Sequence, residues 1–377
     1  MTKQIMEASQ AVAYAVKQSK PAVIPMYPIT PQTHIVEKLA EFIDDGKLNA
    51  EMIHVESEFS AISAALGVSA SGMRVFTATA SQGLALMHEV LHIVSGMRLP
   101  VVMAIANRAL SAPINIWNDH QDSISARDTG WIQIYVESAQ EAYDSIFQAY
   151  NIAEHKDVLL PVMVCLDGFT LSHVYEPVDF LSQKQVDRYL RKFRPAYPVL
   201  DTKKPVTMGP VGFPDSYMFF RRDEHNANVS AAKIIQKENL RFKKLFGRGY
   251  GNGLVETYNL KGSRSAIVCM GSVCGTVKAV IDELKPDVAM IKIRTYRPFP
   301  VESLRKALVN IKNISVIDKN ISIGYEGAVC TDLKAAIRDK NIKGYIMGLG
   351  GRDIKAGDIK KIIKDMDKKQ DKPIFVV

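Results

Sequence analysis

The stretch PAVIPMYPITPQTHIVEKLAEFI, residues 21–43, decides the fold of this chain. A short apolar run ends in proline-rich punctuation, and a helical repeat follows with Ile35, Leu39 and Ile43 at its spacing. Between them stands Thr30, flanked by Pro28 and Pro31. A buried strand feeding a helix through such a turn is the unit of a parallel α/β sheet. The turn then lies at the carboxyl edge of that sheet, where ligands bind in these folds. Thr30 as N-cap with Pro31 at the first helical position would start the helix well. That capping role is compatible with a ligand role, because both face the same edge.

The alternation extends outward from this stretch. FSAISAALGVSA (59–70) reads as a small-residue helix able to pack closely on a sheet. RVFTATA (74–80) reads as a strand, and GLALMHEVLHIVSG (83–96) as an apolar helix closed by glycine. LPVVMAIA (99–106) and LLPVMVCLDG (159–168) read as buried strands, with a helix over SAQEAYDSIFQAYNIAEH (138–155) between them. Continuous apolar strands alternating with helices imply a parallel sheet covered on both faces. Residues 180–260 break the pattern, with Pro195, Pro198, Pro205, Pro210 and Pro214 and then a charged helix over 230–247. From 265 the signals restart, with strands at 265–272, 287–296, 313–320 and 343–351 and helices between them. The expected organisation is an α/β domain over 1–225, a linker with a helix over 226–260, and a second α/β domain over 261–377.

The 377 residues, 47% of them apolar, suffice for two cored domains. No charged segment followed by an apolar run opens the sequence, so no signal peptide is expected. No window of about 18 apolar residues reads as a membrane span. The cysteines, Cys165, Cys269, Cys274 and Cys330, form no CxxC pair. That argues against a zinc or iron–sulfur site on this chain and for reduced, buried thiols in the cytoplasm. The net charge of +8 is uneven: residues 1–180 carry 10 Lys and Arg against 20 Asp and Glu, a balance of −10, so the remainder carries +18. A noncatalytic basic scaffold that binds nucleic acid would use such charge. The basic residues are scattered, however, as in KKIIKDMDKK (360–369), and no aromatic-and-basic motif accompanies them. A lysine-rich solvated surface is the simpler expectation.

In HVESEFSAISAALG (54–67), Glu56 and Glu58 stand at the mouth of the small-residue helix. Each could simply face the helix dipole. The sharper expectation is a semi-buried carboxylate suited to proton exchange with a heterocycle. Arg108, in ANRALSAPINIWNDHQD (106–122), follows a buried strand. A guanidinium there either forms a surface salt bridge or grips a substrate carboxylate through charge-assisted hydrogen bonds. NDHQD (118–122) crowds polar residues into one loop, but neighbouring side chains rarely face one ion. No metal site is expected there, and His120 reads as a hydrogen-bonded loop residue. GYEGAVC (324–330) and GLGGRD (348–353) are glycine-rich turns that match no phosphate-binding fingerprint. Many thiamine enzymes hold pyrophosphate and Mg²⁺ through a Gly-Asp-Gly string, which is absent here; the nearest string is DDG (44–46).

Taken in order, YPITPQT, VESEFSAISAALG, TATASQGLALMHE, NRALSAPINIWNDHQD, RDTGW, LPVMVCLDGF, YRPFP and GLGGRD resemble a known family along nearly the whole chain. They resemble the α subunit of pyruvate:ferredoxin oxidoreductase, within the 2-oxoacid:ferredoxin oxidoreductases. The resemblance implies a pyrimidine-type thiamine-diphosphate-binding domain, followed by a domain like the C-terminal domain of transketolase. It implies thiamine diphosphate shared with a β subunit, which supplies the pyrophosphate and Mg²⁺ site. Subunits γ and δ would complete the enzyme, with [4Fe-4S] clusters on partner chains. Glu58 matches the family glutamate that touches N1′ of the aminopyrimidine. Thr30 and Arg108 match substrate contacts, Arg108 on the carboxylate, and Pro28 and Ile29 would line the aminopyrimidine pocket. The implied reaction joins pyruvate and coenzyme A in an oxidative decarboxylation to acetyl-CoA and CO₂, with electrons passing to ferredoxin. Branched-chain 2-oxoacids such as 2-oxoisovalerate are the alternative substrate, and a transketolase-like or dehydrogenase component is the alternative thiamine enzyme. The glycine turns of the second domain would then be structural. MEASQAVAYA (6–15) departs from the GNEA string that many relatives carry there.

Overall fold

A computed structural model describes residues 2–368 and 372–377. The first unit opens with β1 (Thr2–Glu7), α1 (Ala8–Ser19), β2 (Val23–Met26), α2 (Thr33–Asp44), β3 (Glu51–His54) and α3 (Glu58–Ala70). It continues with β4 (Phe76–Thr79), α4 (Ser81–Leu86), α5 (His88–Gly96), β5 (Val102–Asn107) and α6 (Gln121–Ser125). β6 (Ile132–Tyr135), α7 (Ala139–Ala153), β7 (Val162–Asp167), β8 (Tyr175–Phe180) and α8 (Gln183–Tyr189) complete it.

Strands β4, β5, β7 and β6 lie parallel in that order. The parallel pair β2–β3 continues the sheet past β4 through a bridge between Val23 and Val75 and a 2.8 Å hydrogen bond from Thr77 Oγ1 to the Pro25 carbonyl. Every residue of β2, β4, β5, β6 and β7 is buried, which explains their nearly continuous apolar sequences. Small side chains let α3 lie close to the sheet, with Ala61, Ile62, Ala65 and Ala70 buried. β1 and β8 form a separate antiparallel ribbon, Lys3 opposite Asp179.

A 30-residue helix, α9 (Tyr217–Phe246), leads toward the second unit. The spacing predicts its start at Ser230, but the helix begins at Tyr217. Tyr217, Met218, Phe219 and Phe220 are exposed, so no core-facing stripe marks the first turns. From Ala231 onward Ile235 and Phe242 enter the core, and Gly247 with φ 75° ends the helix.

The second unit contains β9 (Val255–Tyr258), β10 (Ser265–Cys269), α10 (Val273–Leu284), β11 (Val288–Ile293), β12 (Thr295–Arg297) and α11 (Val301–Ala307). β13 (Asn313–Asp318), α12 (Ala328–Ala336), β14 (Asn341–Ile346), α13 (Ala356–Lys364) and β15 (Ile374–Phe375) follow. Its sheet runs β15-β14-β13-β10-β11-β9, parallel except for β9. The run DVAMIKIRTY reads as one strand but divides at Arg294: β11 stays in this sheet, and β12 crosses to pair antiparallel with β6. Arg294 is fully buried and reaches α7, giving Nε to Glu141 at 2.8 Å and Nη2 to Ser145 Oγ at 2.8 Å. Lys292 beside it pairs with Glu137 and Glu141. Part of the C-terminal positive charge is therefore neutralised inside the molecule. The predicted helix over 360–369 ends at Lys364, and Lys369 lies outside the described residues. No helix among the described residues is long and apolar enough to cross a membrane. All four cysteines are buried free thiols.

Candidate active site

Because the strands are parallel, the carboxyl ends of β2, β3, β4, β5 and β7 share one edge, and the predicted residues follow them. Beyond β2, Pro28 and Thr30 are exposed and Ile29 is half-buried. Thr30 does not cap the helix: the N-cap is Gln32, and α2 begins at Thr33. The reason lies in Gln32, which is buried and gives Nε2 to the Tyr27 carbonyl at 2.8 Å, tying the turn back to the strand end.

The Thr30 carbonyl accepts a 2.9 Å hydrogen bond from Arg108 Nη1. Arg108 is the first residue beyond β5 and is 8% exposed. Its Nε donates to the Asn115 carbonyl at 3.0 Å, and its backbone N–H donates to Asp122 Oδ2 at 3.0 Å. Among the described residues its guanidinium pairs with no carboxylate. A guanidinium has five N–H donors, so two contacts leave most of the fork available. Burial lowers its pKa, with the Asp122 carboxylate pulling the other way. A partly dehydrated guanidinium that is not directly paired with a carboxylate is a strong partner for an incoming one.

Glu58 is the first residue of α3, after an N-cap Ser57 whose Oγ accepts the Ser60 N–H at 3.3 Å. It is 7% exposed, and its carboxylate makes no hydrogen bond among the described residues. Gly83 makes its room: a Cβ there would lie 2.6 Å from Glu58 Oε1 and 2.5 Å from Thr79 Oγ1. Thr79 Oγ1 and Gln82 Nε2 are buried without a partner. An enclosed carboxylate near orphaned polar atoms fits a heterocycle with its own donors and acceptors, as an aminopyrimidine has. Glu56 differs. It is exposed, and the Ser60 hydroxyl holds its carboxyl below the usual range.

Asp122 connects the two halves of the site. Its carboxylate accepts from Ser81 N–H at 2.9 Å, Asn107 Nδ2 at 2.8 Å, Arg108 N–H at 3.0 Å and Ser123 N–H at 2.7 Å. Burial pushes its pKa up to about 6 against the pull of these hydrogen bonds. Asp122 thereby joins Arg108 to the start of α4, the helix that carries Gly83. Thr30 and Arg108 are thus hydrogen-bonded to each other, and α4 with Asp122 links Glu58 to Arg108.

The NDHQD residues diverge. Asp119 Oδ2 accepts the Gly350 N–H at 3.1 Å, His120 Nε2 meets Asp167 Oδ1 at 2.6 Å, and Asp122 turns to Ser81. Asp167 also receives Lys319 Nζ at 2.9 Å and Ser272 N–H at 3.0 Å. Burial opposes its charge, but Lys319 and His120 outweigh burial and hold the carboxyl well below the usual range. No group of three or more His, Cys, Asp or Glu among the described residues could hold a metal ion. In GYEGAVC the start of α12 is occupied by the chain's own carboxylate: Asp318 accepts the Val329 and Cys330 N–H groups, each at 3.0 Å. Sequence reasoning passes over Gly83, Asn115 and Asp122. Only Asp122 leaves a signal, as part of a polar string, because each of the three also has a partner remote in the chain: Glu58 for Gly83, Gly350 for Asn115 and Ser81 for Asp122.

A chain of two α/β units with a buried cation and an enclosed carboxylate at this sheet edge is of the class that binds a ligand at the carboxyl ends of parallel strands. Residues 14–239 match the family model for pyruvate flavodoxin/ferredoxin oxidoreductase, thiamine diphosphate-binding, and residues 264–359 match that for pyruvate:ferredoxin oxidoreductase core domain II. The chain belongs to the pyruvate:ferredoxin oxidoreductase family, and it is of the α-subunit type. The pyruvate synthase subunit PorA of Methanocaldococcus jannaschii is 56% identical over 371 residues, covering 97% of this chain and 95% of that protein. The subunit of the same name from Methanothermobacter thermautotrophicus is 51% identical over 367 residues, with 97% and 95% covered. The ketoisovalerate oxidoreductase subunit VorA of Pyrococcus horikoshii is 43% identical over 373 residues, with 97% and 94% covered. A 2-oxoglutarate:ferredoxin oxidoreductase from Magnetococcus marinus, solved with 2-oxoglutarate, coenzyme A and succinyl-CoA bound, superimposes with a TM-score of 0.77 at 19% identity. That likeness covers 97% of this chain, which spans 65% of the other chain's length, and it speaks to the fold alone.

Proposed function

We propose that this chain is the α subunit of a pyruvate:ferredoxin oxidoreductase. Together with its partners it converts pyruvate and coenzyme A to acetyl-CoA and CO₂, reversibly, with ferredoxin as electron acceptor. The observation that carries this reading is the Thr30–Arg108 pair, a buried guanidinium at the ligand edge of the sheet with no carboxylate partner among the described residues. Arg108 binds and orients the 2-oxoacid carboxylate, and Thr30 lies beside it. Glu58, Pro28 and Ile29 would hold the aminopyrimidine of thiamine diphosphate, with Glu58 exchanging a proton at N1′. When bound, the cofactor supplies the electron sink that decarboxylation requires.

Mg²⁺ and the pyrophosphate belong to a β subunit, [4Fe-4S] clusters belong to partner chains, and γ and δ subunits complete the complex. Buried thiols without disulfides fit a reducing, cytoplasmic setting. The division we adopt is a pyrimidine-binding domain over 1–225, a helical linker over 226–260 and a transketolase C-terminal-like domain over 261–377. The test is anaerobic reduction of a low-potential dye by the purified complex, dependent on coenzyme A, with pyruvate and 2-oxoisovalerate in parallel. Preference for pyruvate supports the reading. Preference for the branched acid changes the substrate, and a cluster-loaded complex inert toward both acids refutes it.

A further inference from the structure

The loop that bears on Arg108 is anchored by the other half of the molecule. Residues 111–114 are exposed, and Asn115 is the first residue after them to be held. Its side chain donates from Nδ2 to the Gly350 carbonyl at 3.1 Å and accepts the Trp117 N–H on Oδ1 at 2.8 Å. Its backbone carbonyl is the acceptor for Arg108 Nε. Two more bonds fix the same contact from the second unit: Gly350 N–H to Asp119 Oδ2 at 3.1 Å, and Gly351 N–H to the Asn118 carbonyl at 2.6 Å.

The turn Leu349–Gly351 is built for this approach. Gly350 has φ 58° and Gly351 has φ 80°, a backbone region that disfavours side chains. A Cβ on Gly351 would lie 2.2 Å from Trp117 Cβ, and one on Gly350 would lie 2.5 Å from Asn115 Nδ2. GLGGRD therefore cradles a polypeptide loop rather than a phosphate. Arg108 has two tethers on its guanidinium, the Thr30 carbonyl within the first unit and the Asn115 carbonyl. The second belongs to a loop that the Ala109 N–H closes on the Trp117 carbonyl at 3.0 Å within the first unit, and that the second unit grips at Asn115 itself.

We infer that Asn115, clamped by the Leu349–Gly351 turn, is a positioning residue for Arg108, so that the second unit sets the affinity for the 2-oxoacid carboxylate. This rests on the reading of Arg108 given above. The experiment is steady-state kinetics of the complete anaerobic complex carrying Asn115→Ala, Arg108→Ala or both. In Asn115→Ala the KM for pyruvate should rise about tenfold, the size of a weakened hydrogen bond to a charged group. The KM for coenzyme A should not change, and kcat should stay within about twofold. Added to Arg108→Ala, the second change should cost nothing further in kcat/KM, because residues acting through one group are not additive. Gly350→Ala leaves residue 115 an asparagine but pushes its side chain away, and should reproduce the pyruvate-specific loss from the opposite side of the contact.

A fully additive double variant, or a wild-type pyruvate KM in both Asn115→Ala and Gly350→Ala, overturns the inference while leaving Arg108 as a substrate contact. An unchanged pyruvate KM in Arg108→Ala removes the carboxylate reading itself, and the inference with it.

Discussion

Replacing Gly83 with alanine tests the enclosure of Glu58 without altering any charge. The new Cβ would lie 2.5 Å from Thr79 Oγ1, 2.6 Å from Glu58 Oε1 and 2.8 Å from its Cγ, so the Thr79 hydroxyl must give way together with the carboxylate. Ordinary contact between such atoms is about 3.5 Å, so the carboxylate must retreat by roughly 1 Å. A misplacement of about 1 Å in a reacting group costs on the order of 10²-fold. The fold should tolerate the change, because Gly83 lies in α4. There alanine gains about 1 kcal/mol in helix propensity, which offsets part of the crowding. The assay is pyruvate- and coenzyme-A-dependent dye reduction by the intact complex, with its thermal midpoint measured alongside. The expected result is kcat lower by about 10²-fold, a midpoint within a few degrees of the parent, and an unchanged KM for coenzyme A. A folded Gly83→Ala complex with parental kcat would show that the placement of Glu58 does not limit turnover.

Glu58→Gln keeps the shape and removes the proton acceptor, and turnover should fall by about 10²- to 10⁴-fold; rates near the parent's would rule out proton exchange at this position. Arg108→Ala should raise the KM for pyruvate by about 10- to 100-fold, the range for a lost charge-assisted hydrogen bond, and equal rises for pyruvate and coenzyme A would count against a carboxylate clamp. Asp167→Asn should destabilise the chain at pH 7 by about 3–5 kcal/mol, because Lys319 would be left buried and unpaired. The Asp167 carboxyl is depressed in the fold, so its contribution is complete above the unfolded pKa of about 4 and is lost as pH falls below it. Denaturant unfolding of the parent should therefore weaken below about pH 4 more steeply than that of Asp167→Asn, and parallel pH profiles would refute the assignment.

Much of the architecture is legible in local pattern. The apolar runs ending at Met26, Thr79, Asn107 and Asp167 become buried parallel strands, because a strand covered on both faces needs no alternation. What local pattern cannot supply is the identity of a partner. TKQIME does not read as a strand, since its ladder is with β8 at the far end of the unit. The first turns of α9 carry exposed aromatic residues on a helix whose core face starts only at Ala227 and Ala231. Thr30 cannot be distinguished from Gln32 as the cap until the hydrogen bond from Gln32 to Tyr27 is known.

The site divides in the same way. Thr30, Glu58 and Arg108 are legible because they stand at strand ends or a helix start. Gly83, Asn115 and Asp122 are not, because their importance lies in what approaches them. Gly350 comes to Asn115 from more than 200 positions along the chain.

The crossing at Arg294 has a consequence for the heredity of this chain. Gene fission or domain shuffling favours cuts in exposed linkers, and a break near residue 260 looks natural from composition. Such a break would strip β12 from β6, leaving the first sheet with an open edge prone to pairing with strangers. It would also leave Glu141 sealed in the interior without Lys292 or Arg294. Each half lacks a buried partner that the other supplies, so halves made as separate chains should be stable only once they reassociate.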